Sequence, residues 1–296
     1  MKKSTFIPTF IFLFFVSACA SPVTSSPTQT PLPPTVTPTF TATQTETPTA
    51  TTTPVPSGPC DNPLVPLVTG SNYEYQVTTS SGLTLFTLNV GERKDIGNIN
   101  VEVHLIDHKH TWDIKELVIC DEGEIPNFPL YIMSMLLVDQ FKTILNTYHY
   151  YETAPYVPAY PVLAENDWIY TWEPGYVLEE GAYLVNPMGG ADLALLAMSP
   201  VDLVISTQGT FVSIDEPAGV YPNALQVEVE YHMHATIVEG SAGSGATLVI
   251  RSTQWYVPFL GLVRAQVDAA ELNYYTQVFA EDISSQLDLI QFTPGP

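Results

Sequence analysis

Gln226-Val227-Glu228-Val229-Glu230-Tyr231-His232-Met233-His234-Ala235-Thr236-Ile237 carries an apolar residue at every odd position from Val227 to Ile237 and a polar one at each position between. A period of two sends alternate side chains to opposite faces of a strand, so this stretch lays one face on a core and the other in water. Ile99-Asn100-Val101-Glu102-Val103-His104-Leu105 repeats the pattern, and Leu83-Thr84-Leu85-Phe86-Thr87-Leu88 supplies a further strand. Half-exposed strands assemble into antiparallel sheets. Gly91, Gly97-Asn98, Pro222-Asn223 and the run Gly240-Ser241-Ala242-Gly243-Ser244-Gly245 punctuate the chain at short intervals, which suits hairpin turns better than helical crossovers. The expected fold class is mainly β.

Two weak matches in the same order point to an internal duplication. Gly70-Ser71-Asn72-Tyr73-Glu74-Tyr75 is matched by Glu165-Asn166-Asp167-Trp168-Ile169-Tyr170, each a polar turn followed by aromatic-x-Tyr. Gly97-Asn98-Ile99-Asn100-Val101-Glu102-Val103 is matched by Pro222-Asn223-Ala224-Leu225-Gln226-Val227-Glu228-Val229. The expectation is two related β units, residues 60–155 and 156–293, with a short tail at 294–296. The joint falls near Pro155-Tyr156-Val157-Pro158-Ala159-Tyr160-Pro161, where proline interrupts regular pairing. Leu130 to Asn146 reads either as a helix with one apolar face or, from Phe141 onward, as a strand, the latter being preferred. Leu193 to Met198 reads as a short helix.

The N-terminus has a different character. Lys2 and Lys3 precede an apolar run from Phe6 to Val16, followed by Val16-Ser17-Ala18-Cys19. This is the layout of a signal peptide over residues 1–18, too short for the about 20 apolar residues that span a bilayer. The stretch from Ser21 to Pro59 is almost entirely Thr, Pro, Ser and Ala, as in Pro33-Pro34-Thr35-Val36-Thr37-Pro38-Thr39. Such a segment buries too little apolar surface to offset its ordering entropy, and its prolines favour polyproline II. At about 3.1 Å per residue it would reach on the order of 100 Å. Residues 19–59 are therefore expected as a disordered, low-complexity linker.

Removing Lys2, Lys3 and Glu46 leaves seven basic and 30 acidic residues in the body from Cys60 onward, a net charge of about −23. That excludes nucleic acid and direct docking on anionic lipid, both polyanionic surfaces. Asp121-Glu122-Gly123-Glu124 is the densest acidic run, but it lacks the spacing of an EF-hand loop and reads as a solvated turn. Of three cysteines, Cys60 and Cys120 form an even pair in an exported body. A disulfide is the economical reading and two buried free thiols the other.

Val16-Ser17-Ala18-Cys19 resembles the lipobox of bacterial lipoproteins. The resemblance implies a diacylglyceryl thioether on Cys19, cleavage before it and a lipid anchor in the bilayer at the cell membrane or cell surface, with the body on the extracytoplasmic side. Ala20, in place of Asp, is by the same resemblance no signal for inner-membrane retention. Pro66-Leu67-Val68-Thr69-Gly70-Ser71-Asn72-Tyr73-Glu74-Tyr75, with Ala218-Gly219-Val220-Tyr221-Pro222 and Trp255-Tyr256-Val257-Pro258-Phe259-Leu260-Gly261-Leu262-Val263-Arg264, resembles uncharacterised envelope lipoprotein domains. These domains resemble lipoprotein carriers, so the resemblance implies curved, half-barrel-like antiparallel sheets able to shelter an apolar small molecule in their concave side. The segment from Gly175 to Ile205 has no counterpart in them.

Chemistry-bearing motifs are few. His108-x-His110 and His232-x-His234 each put two imidazoles on one strand face, a metal-binding arrangement only if further ligands converge, and otherwise solvated strand histidines. Neither a Gly-x-Ser-x-Gly elbow, a His-Glu-x-x-His pair nor a phosphate-binding glycine loop occurs. The expectation is a protein without catalytic residues or cofactor, a binding or structural module of the envelope. The rival is an envelope glycan hydrolase working through paired carboxylates, which the sequence cannot single out. Tyr148, Tyr150, Tyr151, Tyr156, Tyr160, Trp168, Tyr170, Trp172 and Tyr176 crowd one region and read mainly as packing, with a ligand groove as the alternative.

Overall fold

The stretch that begins at Gln226 lies in the longest hairpin of the protein. The computed structural model is described over residues 60, 62–96, 98–109, 113–128, 130–137, 148–150, 154–178, 183–185, 195–239, 242–274, 277–281 and 284–296. The chain opens with a meander of β1 (Asn72–Thr79), β2 (Gly82–Ile96), β3 (Asn98–Asp107) and β4 (Asp113–Cys120). Short elements follow: α1 (Leu130–Leu136), β5 (Tyr148–Tyr150), α2 (Tyr160–Glu165), β6 (Ile169–Trp172), β7 (Gly175–Leu178) and β8 (Tyr183–Val185). Long strands complete it: β9 (Leu195–Glu216), β10 (Gly219–Glu239), β11 (Ala242–Val257), β12 (Gly261–Tyr274), β13 (Gln277–Glu281) and β14 (Ser285–Thr293).

The protein is mainly β, and its strands form one open antiparallel sheet. The order is β4-β3-β2-β1-β14-β12-β11-β10-β9-β7-β5, with β13 on β12 and both β6 and β8 on β9. The pairing order β1-β2-β3-β4 recurs as β6-β9-β10-β11, with β7 and β8 intervening in the chain between β6 and β9, and the matched sequence pairs fall on β1 with β6 and on β3 with β10. β14 lies between β1 and β12, pairing Thr79 with Ser285 on one side and Arg264 with Asp288 on the other. Residues past β14 stay attached: the Gly295 N–H donates to Ser71 Oγ at 3.0 Å.

Period-two burial is realised strand by strand. On β10, Val227, Val229, Tyr231 and Met233 are buried, while Glu228 and His234 are exposed. One sheet face is then covered by the chain itself. The segment from Leu64 to Leu67 and Tyr131 and Ile132 of α1 pack over Tyr73, Tyr75, Leu88, Val90, Val103 and Tyr256, leaving a cavity of about 30 Å³, room for roughly one water. Cys60 and Cys120 form a disulfide that ties the start of this covering segment to the end of β4. Two residues later, buried Asn62 accepts from the Leu64 and Val65 N–H groups at 2.9 and 3.2 Å and donates to the Gly123 and Pro158 carbonyls at 2.9 and 3.0 Å. One side chain thereby joins three loops.

The short elements depart from expectation in instructive ways. Residues 195–198, read from sequence as part of a helix, are the start of β9 and pair with β8 and with Ala235 to Ile237 of β10. Helix propensity in Leu-Ala-Met is a weak preference that ladder pairing overrides. Leu130 to Leu136 is helical, and the stretch from Phe141 falls outside the described residues except for its continuation into β5. The α1 N-terminus is met by Glu116 of β4, whose carboxylate accepts from the Tyr131 N–H at 3.4 Å. Burial pushes this carboxyl up to about 8, against those backbone donors.

Candidate functional site

Backbone strain marks one region of the surface. Among the described residues, four that are not glycine have positive φ: Glu122 (46°), Asp167 (52°), Trp168 (59°) and Phe259 (64°). Each such conformation costs about 1 kcal/mol or more for an L-residue and persists only where the surroundings enforce it. Asp167 and Trp168 follow the end of α2, while Glu122 and Phe259 lie beside residues at its start, next to Ala159 and Tyr160.

The end of α2 explains two of them. The Trp168 N–H donates to the Leu163 carbonyl at 2.9 Å and the Asp167 N–H to Ala164 at 3.1 Å, a Schellman closure with Asp167 where glycine is usual. The Trp168 carbonyl then accepts from the Gly209 N–H of β9 at 2.8 Å. Gly209 is itself left-handed, and a Cβ there would meet Ile169 Cγ1 at 2.9 Å and the Asp167 carbonyl at 3.0 Å, so glycine is required. Phe259, in the β11–β12 turn, is held by its N–H donating to the Pro63 carbonyl at 2.8 Å.

This clamping arrays four aromatic rings. Phe259 lies 5.7 Å from Tyr160, Tyr160 lies 5.9 Å from Trp168, and Trp168 lies 5.8 Å from Phe211, with interplanar angles of 52°, 59° and 83°. Tyr160 is 42% exposed, Phe211 41% and the adjoining Ile169 61%. The acidic run Asp121-Glu122-Gly123-Glu124 borders the strip, folded as a turn with reciprocal hydrogen bonds between Asp121 and Glu124 at 3.0 and 2.7 Å. A Cβ on Gly123 would lie 3.7 Å from that of Ala159, next to Tyr160. Partial burial, then the charges of Asp121 and Glu122, raise the Glu124 carboxyl above its ordinary value. Among the described residues, Asp121, Glu122, Glu124, Glu165 and Asp167 make no ion pair.

A second cluster gathers two acids where the β9–β10 hairpin bends over the sheet. Ala218 N–H reaches the Leu289 carbonyl of β14 at 3.3 Å. Arg264 Nη2 lies 2.6 Å from Glu216 Oε1 and donates to the Asp215 carbonyl at 3.1 Å, while its Nε lies 3.4 Å from Asp288 Oδ1. Gln286 donates to both Asp288 oxygens at 2.8 and 2.9 Å, and Trp255 lies 6.0 Å from the guanidinium. Burial first, then Asp288, push Glu216 up to about 8 despite Arg264. The Glu216 side chain is wholly buried, so this acid pair pins a hairpin rather than lining an open cleft.

In the core, Tyr256 OH donates to Gln254 Oε1 at 2.6 Å, and Gln254 Nε2 donates to Tyr231 OH and Ser252 Oγ at 3.1 and 3.0 Å. Burial pushes Tyr231 up to about 12. The histidines do not converge. His108 Nε2 bonds Thr87 Oγ1 at 2.8 Å, His232 Nε2 meets Glu230 at 2.7 Å and His234 Nε2 meets Asp202 at 3.5 Å, while His110 lies outside the described residues. Among the described residues no group of three or more His, Cys, Asp or Glu is placed to hold a metal ion. Cys19 and the linker also lie outside the described residues.

The aromatic crowding seen in sequence divides in two. Tyr156, Trp172 and Tyr176 are buried, with Trp172 Nε1 donating to the Tyr156 carbonyl at 2.8 Å, whereas Tyr160 and Trp168 join the surface strip. Phe211 of β9 and Phe259 of the β11–β12 turn complete the strip from distant parts of the chain; Phe211 carried no sequence signal beyond its aromaticity, and Phe259 stood in the Trp255–Arg264 stretch with no role assigned.

No protein-family model matches the chain, and no curated protein matches it. Among solved structures it is similar to a protein from Bacteroides fragilis assigned as exported, with a YmcC-like fold, at 13% identity and a TM-score of 0.41 over 78% of this chain and 98% of that one. It is also similar to a protein from Parabacteroides distasonis assigned as a lipoprotein, at 16% identity and a TM-score of 0.40 over 79% of this chain and 100% of that one.

Proposed function

We propose that this chain is a lipid-anchored head of the bacterial envelope that recognises a partner by surface contact, without catalysis. The observation that carries this reading is the concentration of strained backbone around one exposed aromatic and acidic surface. Residues held in such conformations cluster at functional sites. Anchoring through Cys19 and display on the Thr/Pro-rich segment are supported by the amino-acid sequence of the N-terminus alone. The cavity beneath the Leu64–Leu67 segment holds about 30 Å³, too small for an apolar ligand there, which favours recognition on the outer surface. Glu216, paired with Asp288 across Arg264, is buried and offers no open cleft for a glycan at that pair.

The test places a photo-crosslinking amino acid at Phe211 or, as a control, at Glu228, in the full chain expressed in bacterial cells fed an alkyne fatty acid. The expected result is a fatty-acid-labelled chain that forms a discrete adduct from position 211 and none from 228. Loss of labelling in wild type, or equal adducts from both positions, would refute the proposal.

A further inference from the structure

We infer that the aromatic strip docks an extended basic peptide segment of another envelope protein, its Lys or Arg side chains set over the exposed rings and against the neighbouring carboxylates. The inference deepens the recognition reading above and rests on it. Three features choose this occupant. The first is charge. Asp121, Glu122 and Glu124, in the turn that lies against Ala159 next to Tyr160, and Glu165 and Asp167 at the end of α2 make no ion pair among the described residues, so no cation of those residues neutralises them. A cationic ligand would relieve the repulsion from Asp121 and Glu122 that adds to partial burial in raising the Glu124 carboxyl.

The second feature is ring geometry. Tilts of 52°, 59° and 83° leave no flat platform shared by neighbouring rings, while the exposed Tyr160 and Phe211 can each take a cation over a single ring. The third is length. Three ring-to-ring steps from Phe259 to Phe211 span about 17 Å at most, the reach of roughly five residues of extended chain. Polyanions are repelled by the same carboxylates, which sets aside nucleic acid and anionic lipid.

Fluorescence anisotropy with a labelled Lys-Ala alternating octapeptide, added to the full chain in neutral detergent, tests the inference. Binding is expected that weakens at least fivefold between 50 and 300 mM salt, because exposed charge pairs are screened. The triple variant Asp121→Asn, Glu122→Gln, Glu124→Gln should raise Kd at least tenfold and Phe211→Ala at least threefold. Glu228→Gln with Asp268→Asn, on the outer sheet face, should change Kd by less than twofold. No binding at 1 mM peptide, equal binding of the Gln-Ala octapeptide, or equal weakening by the control pair overturns the inference. So does preferential binding of chito-oligosaccharide or phosphatidylcholine vesicles. A discrete crosslink from position 211 combined with such a result would leave the recognition reading standing and remove only the basic-peptide occupant.

Discussion

Removing the disulfide is expected to reveal how much of the stability of the head depends on its first residue. The bridge joins Cys60 to Cys120 across a sequence separation of 60. In the chain-entropy treatment, closing a loop of that length removes roughly 14 cal/mol/K from the unfolded ensemble, about 4 kcal/mol at 25 °C. Both cysteines are buried, so the paired change Cys60→Ala with Cys120→Ala also removes contacts in the core, and the net loss should not fall below about 3 kcal/mol. A body of this size unfolds in urea with a slope of about 3 kcal/mol/M, giving a downward midpoint shift of about 1 to 1.3 M. The slope itself should rise slightly, because an uncrosslinked unfolded chain exposes more surface. Equilibrium urea unfolding followed by tryptophan fluorescence, for wild type with and without reductant and for the double variant, supplies the measurement. If reduced wild type and the double variant both unfold within 0.2 M of the oxidised protein, with two free thiols confirmed after reduction, the Asn62 hydrogen bonds alone hold the covering segment and the entropic argument fails.

Glu216→Gln should remove a pH dependence of stability. The folded carboxyl holds its proton up to about 8 and the unfolded one releases it near 4.5, so wild type loses stability as pH rises through that window and levels off above it. The ceiling is about 5 kcal/mol for Glu216, and Glu116, also pushed up to about 8, adds a loss in the same window. Urea midpoints at pH 5 and pH 8.5 should therefore converge partly in Glu216→Gln and further in the double variant with Glu116→Gln; unchanged slopes would contradict the burial argument. Tyr256→Phe deprives buried Gln254 Oε1 of its donor and should cost about 1 to 3 kcal/mol by chemical denaturation. Gly209→Ala should destabilise by about 1 kcal/mol or more and weaken octapeptide binding, because the added methyl displaces Ile169 beside the strip. A stable Gly209→Ala protein with unchanged affinity would show that the clamp does not position the rings.

The strands were legible where one face is wet. Val227 to Met233 alternate cleanly in sequence and in burial, and Leu83 to Leu88 and Ile99 to Leu105 fall within β2 and β3. Neighbour choice was not legible. Ser285 to Thr293 pairs with β1 and β12, yet nothing local distinguishes it from a strand at an edge, because partner selection is made by packing at long range. Leu195 to Met198 misled for the same reason, since its helix preference of a few tenths of a kcal/mol is small beside a ladder. The candidate site was half visible: Tyr160, Trp168 and the acidic turn stand out by composition, but the rings of Phe211 and Phe259 reach them only through the fold. Asn62 gave no warning, because a buried asparagine is recognised by its partners and those are three separate loops.

The place of β14 bears on the order of events during synthesis and export. β1 and β12 have no described neighbour between them except this strand, so the first meander cannot join the rest of the sheet until residues 285–293 have been made. Contacts of such separation form late and slowly. A chain threaded across a membrane from its N-terminus would thus emerge in a state still open to passage, and would close into a single sheet only after nearly the whole body had crossed.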